Sequence, residues 1–203
     1  MRRSKYGYLL LALLVITGLA GTVTSGITSK ERKLAANNLK ESRNEVINAL
    51  KGLTPVQLKY RDPSTGLRIN DLAEKLISTE NSLWHCLEAG LRNASNPEQR
   101  VKIRVTDEQL FSKAANDCFR AYITPSHGKL KLISARDLDQ FKLSRLEHIK
   151  YIKGTTEDLR NHVVKLTCGW IDCYQLMLLI SANSENYYRA IESVKSAPGF
   201  PVK

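Results

Sequence analysis

Cysteine, proline, glycine and aromatic residues are all scarce in this chain. Its 203 residues include four Cys, six Pro and 11 Gly, and Phe, Trp and Tyr together make up 7%. So few Cys cannot build a miniprotein held by disulfides. So few Pro and Gly exclude a collagen-like or linker-like chain. No unit of roughly 20–50 residues recurs, which excludes a solenoid or propeller. There is no Gly-rich phosphate loop, no nucleophile elbow and no dinucleotide fingerprint. The four His, at 85, 127, 148 and 162, form neither an H-x-x-x-H pair nor an H-E-x-x-H signature, so each reads as an isolated solvated or hydrogen-bonded side chain.

What is present fits one globular domain of ordinary size: 42% of residues are hydrophobic and 25% charged. Lys and Arg number 31 against 20 Asp and Glu, a net charge of +11. The cations are scattered beside Glu and Asp, and no block of five like charges occurs. That pattern is a solvated basic surface. It is not a clustered nucleic-acid footprint, and no nucleic-acid partner is expected.

The first residues stand apart. Arg2, Arg3 and Lys5 precede an uncharged run from Tyr6 to Ser29, most apolar between Leu9 and Ile16. Gly18-Leu19-Ala20 supplies a small-x-small cleavage site. This is the layout of a secretory signal peptide over residues 1–20. The alternative is an uncleaved anchor reaching to about residue 29, although the apolar part is short for a span of ~20 residues. Cleavage after Ala20 removes three positive charges and leaves 11 − 3 = +8. Export permits disulfides, and Cys86, Cys118, Cys168 and Cys173 are even in number. Their pairing is open, and free buried thiols are the other reading. The spacing of Cys168 and Cys173 is not C-x-x-C, so a structural zinc site is not indicated.

The rest reads as helix nearly throughout. Thr28 to Glu31 fits a capping box, followed by a stripe of Ala35, Leu39, Ser42, Val46, Ala49, Leu50 and Leu53 that Gly52 terminates. Thr54-Pro55-Val56-Gln57 caps a single turn through Leu58, and Asp62 to Gly66 is a loop. A second long helix is expected from about Ile69 to Leu91, with Ile69, Leu72, Ala73, Leu76, Glu80, Leu83 and Leu87 on one face. Thr106 to Gln109 caps a shorter helix through about Tyr122, and Pro125 to Gly128 is a loop. Ser134 to Asp137 opens a third long helix with Leu138, Phe141, Arg145, Ile149 and Ile152 on its face, closed by Gly154. A short helical piece is expected over Thr156 to Lys165, and a last long helix from about Ile171 to Ser196. The stripe of that last helix is Leu176, Ile180, Asn183, Tyr187, Ile191 and Val194. No stretch alternates strongly enough for a sheet, although Val101 to Val105 could be extended. The expected fold is all-α, a four-helix bundle with a long crossover carrying an extra short helix.

Several fragments in order resemble the DinB-like (YfiT-type) superfamily, in its exported single-domain branch, over about residues 27–203. They begin with Leu39 to Val46, Ala49 to Thr54, Gln57-Leu58 and the stretch from Ile69 to Glu80. Phe141, Leu146 and Asp158-Leu159-Arg160-Asn161-His162 follow. Gly169-Trp170-Ile171-Asp172-Cys173-Tyr174-Gln175 is the most specific segment, leading to Ile191 and Pro198-Gly199-Phe200-Pro201. The resemblance implies a bacterial four-helix bundle, often a homodimer. It also implies three His binding a divalent metal, and in some branches thiol-dependent transferase or isomerase activity.

This chain departs at all three ligand positions, where Lys75, Asn183 and Tyr187 stand. A protonated Lys has no lone pair, an amide oxygen is weak, and neutral Tyr suits such metals poorly. No metal and no cofactor are therefore expected. Lys75, Asn183 and Tyr187 instead become candidate ligand-binding residues, with the Lys75 ammonium standing where the cation stood. The expected function is a non-catalytic, metal-free exported protein that binds a ligand or partner through the bundle. The alternative is a metal-independent thiol-transferase or hydrolase-like enzyme using the altered pocket, with Lys75 as anion anchor and Tyr187 as acid. The expected location is the periplasm or extracellular space. Inner-membrane anchoring by the N-terminal segment is the alternative, and the only membrane contact expected.

Overall fold

Among the described residues, five reciprocal capping boxes punctuate the chain. Thr28 with Glu31, Thr54 with Gln57, Thr106 with Gln109, Ser134 with Asp137 and Asp172 with Gln175 each satisfy otherwise orphaned backbone N–H groups. The computed structural model describes residues 26–111, 132–167 and 169–202. The expected signal peptide, the helix beyond Phe111, the Pro125 to Gly128 loop, His127, Cys118 and Cys168 lie outside the described residues.

From those caps run α1 (Ser29–Leu50), the single turn α2 (Pro55–Lys59) and, after α3 (Ile69–Arg92), which starts at Arg68 without a side-chain cap, the short α4 (Asp107–Gln109), α5 (Ala135–Gly154) and α6 (Cys173–Lys195). Gly52, at φ +71°, takes the chain out of α1 toward α2. The four long helices pack as a bundle: α1 lies against α5 and α6, and α6 lies against α3. The backbones of α3 and α5 approach less closely, and large side chains span the gap between them.

Two apolar lobes fix the helix directions. The first holds Ala35 and Leu39 of α1, Leu83 and Leu87 of α3, Ile149 and Ile152 of α5, and the α6 residues Cys173 to Ile180 apart from Gln175. The second holds Val46 and Leu50 of α1, Ile69, Leu72, Ala73 and Leu76 of α3, Phe141 of α5, and Tyr187, Ile191 and Val194 of α6. Hence α1 and α6 run one way, and α3 and α5 the other. Because α3 and α5 are parallel, the chain between them must return along the whole bundle. This is the long crossover, and it carries a 3₁₀ turn at Pro97–Lys102 and then α4. The all-α four-helix reading holds.

Three local expectations do not hold. Residues Val163–Leu166 form a β-strand, β1, where a short helix over Thr156 to Lys165 was expected. It pairs antiparallel with β2 (Gly169–Asp172), matching Val163 with Asp172 and Lys165 with Trp170. A small sheet is thus present, and α6 starts at Cys173, because Ile171 and Asp172 belong to the ladder and Asp172 is the N-cap. The extended piece allowed for Val101 to Val105 is present in part: the 3₁₀ turn runs through Lys102, Ile103 after it is extended, and no ladder partner pairs with it among the described residues.

The hairpin leans on α3 at Gly90. A Cβ there would meet Val164 Cγ1 at 2.7 Å and Cys173 Sγ at 3.1 Å. Gly90→Ala should therefore destabilise by about 1–3 kcal/mol through overpacking. Gly154→Ala, whose Cβ meets nothing within 4 Å, should be neutral or stabilising by up to ~1 kcal/mol. Urea denaturation of the two variants checks the contrast.

Candidate functional site

Between the lobes, each of the four long helices places polar groups at one level: Ser42 on α1, Glu80 on α3, Arg145 and His148 on α5, and Asn183 and Ser184 on α6. All six are buried. Glu80 and Arg145 sit on apolar stripes at helical spacing, so the helices that bury those stripes bury the charges as well.

Arg145, 0% exposed, uses all five of its donors. Nε donates to Glu80 Oε1 at 2.8 Å, and one terminal nitrogen donates to Glu80 Oε2 at 2.5 Å and Ser184 Oγ at 2.7 Å. The other donates to Ser42 Oγ at 2.8 Å and the Leu39 carbonyl at 3.1 Å. Such full satisfaction is what makes a buried guanidinium tolerable. Burial pushes the Glu80 carboxyl up, but the Arg145 charge and bonds and the neighbouring His148 outweigh it and hold it below its ordinary value. His148 Nδ1 lies 3.3 Å from Glu80 Oε1 without hydrogen-bond geometry, so this contact is electrostatic. Trp84 stacks on the His148 ring with centroids 3.9 Å apart.

Of the three residues singled out by the sequence, Asn183 belongs to this layer, and Lys75 and Tyr187 lie beside it. Tyr187 is fully buried in the second lobe, and Asn183 is 2% exposed, its Nδ2 without a hydrogen-bond partner among the described residues. Lys75 is partly buried on α3, beside the stripe of Leu72 and Leu76. The fold thus puts all three on two helices that pack together. Lys75 and Tyr187 each have an interaction partner. Among the described residues no group of three His, Cys, Asp or Glu side chains is placed to hold a metal. Cys86 and Cys173 are free thiols. Burial, with Asp172 adjacent, pushes the Cys173 thiol up to about 12. It is therefore not a thiolate at neutral pH and is a poor nucleophile. His85 is solvated beside Glu88, whereas His162 is buried and its Nδ1 lies 3.0 Å from the Gly90 carbonyl.

A second ionic cluster closes the end of the first lobe. Arg160 engages Glu31 in the first turn of α1, Asp107 in the first turn of α4, and Asp172, the N-cap of α6, at 3.1 Å. Its guanidinium lies 4.1 Å from the Tyr174 ring centroid. Burial works against the Arg160 charge, but Asp107, Asp172 and Glu31 outweigh it and raise its pKa. Asp172 is raised by burial, which Arg160 only partly offsets.

A cleft of about 480 Å³ lies beside α1 and α6. Five carboxylates line it: Glu41, Glu45, Asp107, Glu108 and Glu185. Leu34 and Phe111 give it an apolar part, and Ser42, which accepts a hydrogen bond from Arg145, reaches its wall. Burial, then Glu185 and Glu41, push the Glu45 carboxyl above its ordinary value. Single-stripe reasoning could not find this cleft, because it gathers carboxylates from three elements.

Searches of family models, curated proteins and solved structures find no match to the chain. No helix among the described residues is long and apolar enough to cross a membrane.

Proposed function

We propose that the chain is a non-catalytic, metal-free, exported protein of DinB-like type that binds a ligand through its bundle. The ligand site is the cleft beside α1 and α6, and the ligand carries an amine or guanidinium on an apolar body. The observation that carries this reading is the gathering of five carboxylates around one partly apolar cleft in a chain of net charge +11; Asp107 is paired with Arg160 and Glu185 with Arg189, whereas Glu41, Glu45 and Glu108 have no salt bridge among the described residues. Like charges held together cost free energy, and a bound cation removes that cost. Within the bundle, by contrast, the donors of Arg145 are fully used and the Cys173 thiol is protonated, which supports a structural role for the polar layer over a catalytic one. Lys75, Asn183 and Tyr187 then serve to fill the former metal position.

The test is calorimetric titration with octylamine and spermidine. Saturable binding is expected for the wild type, weakening with salt. Glu45→Gln combined with Glu185→Gln should weaken it by about tenfold, equivalent to ~1.4 kcal/mol. Linear, unsaturable heats, or equal affinity in the variant, would contradict this assignment.

A further inference from the structure

The hairpin end of the bundle carries a second unexplained surface. Trp170 on β2 is partly buried, with Lys102 Nζ 4.5 Å and Lys165 Nζ 5.8 Å from its ring centroid. Lys165 is its cross-strand partner. Neither lysine has a carboxylate partner among the described residues, whereas Arg100 and Arg160 near this end both engage carboxylates. Arg100 turns inward to Asp172 and the Arg160 carbonyl. Beside Lys102, Val101 is 75% exposed. An indole flanked by two ammonium groups without carboxylate partners, with an exposed aliphatic side chain on the adjacent 3₁₀ turn, matches the interfacial zone of an anionic bilayer. There the aromatic ring sits at headgroup depth and lysines meet lipid phosphates.

The position of this face points the same way. β2 leads directly into α6, and the Tyr174 hydroxyl donates to the Glu31 carbonyl at the start of α1. The chain therefore enters α1 at the hairpin end, and the apolar sequence Leu9 to Ile16 precedes that point. A bundle delivered to a membrane by this sequence would present its hairpin end to the lipid. We propose that this face, Trp170 and Val101 with Lys102 and Lys165, rests on an anionic phospholipid surface.

The test uses the full chain with phosphatidylcholine vesicles and with vesicles containing phosphatidylglycerol, each carrying brominated lipid. Attachment through the N-terminal sequence, with Arg2, Arg3 and Lys5, also favours the anionic vesicles, so the charge-reversed variant of the same full chain is the control that isolates this face. Trp84, stacked on His148 inside the bundle, is the internal reference. Trp170 emission should be quenched in the anionic vesicles only, and a few hundred millimolar salt should reverse it. Lys102→Glu combined with Lys165→Glu should abolish the quenching with an unchanged circular dichroism spectrum. Val101→Ser, at an exposed site that preserves the fold, should reduce it. Equal quenching in both vesicle types, none in either, or no effect of the charge reversals would overturn the proposal. So would a soluble polyanion that shifts Trp170 emission while anionic vesicles give no quenching, because the partner would then be a polymer.

Discussion

Replacing Arg145 by Met should cost about 3–5 kcal/mol, because it strands the Glu80 carboxylate in the centre of the bundle. Glu80 is 2% exposed, and His148 offers it only a poorly aligned contact. Against a total stability of about 5–15 kcal/mol, this single change brings the chain close to unfolding. Adding Glu80→Met should recover most of the loss, since two apolar side chains then fill the space of a satisfied ion pair. The residual cost is that of the Ser42 and Ser184 hydroxyls and the Leu39 carbonyl left without their Arg145 donors, about 1–3 kcal/mol. Urea denaturation of the wild type, both single variants and the double variant measures the coupling. The pH dependence has a definite sign. The Glu80 pKa is lowered on folding, so its contribution is present above the ordinary Glu value near ~4.3 and is lost as pH falls through the lower folded value. The double variant should lack that part of the acid limb.

Arg160→Met should cost about 2–4 kcal/mol by leaving three carboxylates converging without their shared cation. Arg160 is 21% exposed and joins the first turns of α1 and α4 to the N-cap of α6. Arg160→Lys should rescue little, since a single ammonium cannot reproduce bonds that a planar fork distributes among three partners. Amide hydrogen exchange should accelerate first in those three segments, before global unfolding. The loss should shrink on acidification. Asp172 already has a raised folded pKa, and removing Arg160 raises it further. A carboxyl with a raised folded pKa contributes stability that is fully present at low pH and lost as pH rises through that value. The variant should therefore recover toward the wild type below about pH 4. A difference that stays constant from neutral to acid pH would show that the clamp works through packing alone.

The sequence exposed the bundle because four stripes at helical spacing and four of the five capping boxes are local signals. It also exposed Ser42, Glu80 and Arg145 as polar residues on apolar stripes. That they meet was not legible, since it depends on the axial register of four helices, one of them reached by a long crossover. Ser184 was missed for a different reason. Every residue of α6 from Cys173 to Ser184 is buried, so no single stripe marks what faces the centre. The hairpin was missed because Val163 to Leu166 is too short for its period to decide between helix and strand. The fifth box, Asp172 with Gln175, was the available signal that α6 begins only at Cys173. Lys75, Asn183 and Tyr187 came from the family resemblance, and the cleft beside α1 and α6 has no local signature at all.

The central proposal is that the polar centre of this bundle is a structural layer and not a metal site. Elemental mass spectrometry tests it most directly, on protein purified without a His tag and again after soaking in nickel, zinc and iron. The account predicts substoichiometric metal in every sample, unchanged in Lys75→His. One tightly held metal per chain in the wild type would contradict it, and would return the layer around Glu80, His148 and Asn183 to consideration as a catalytic centre.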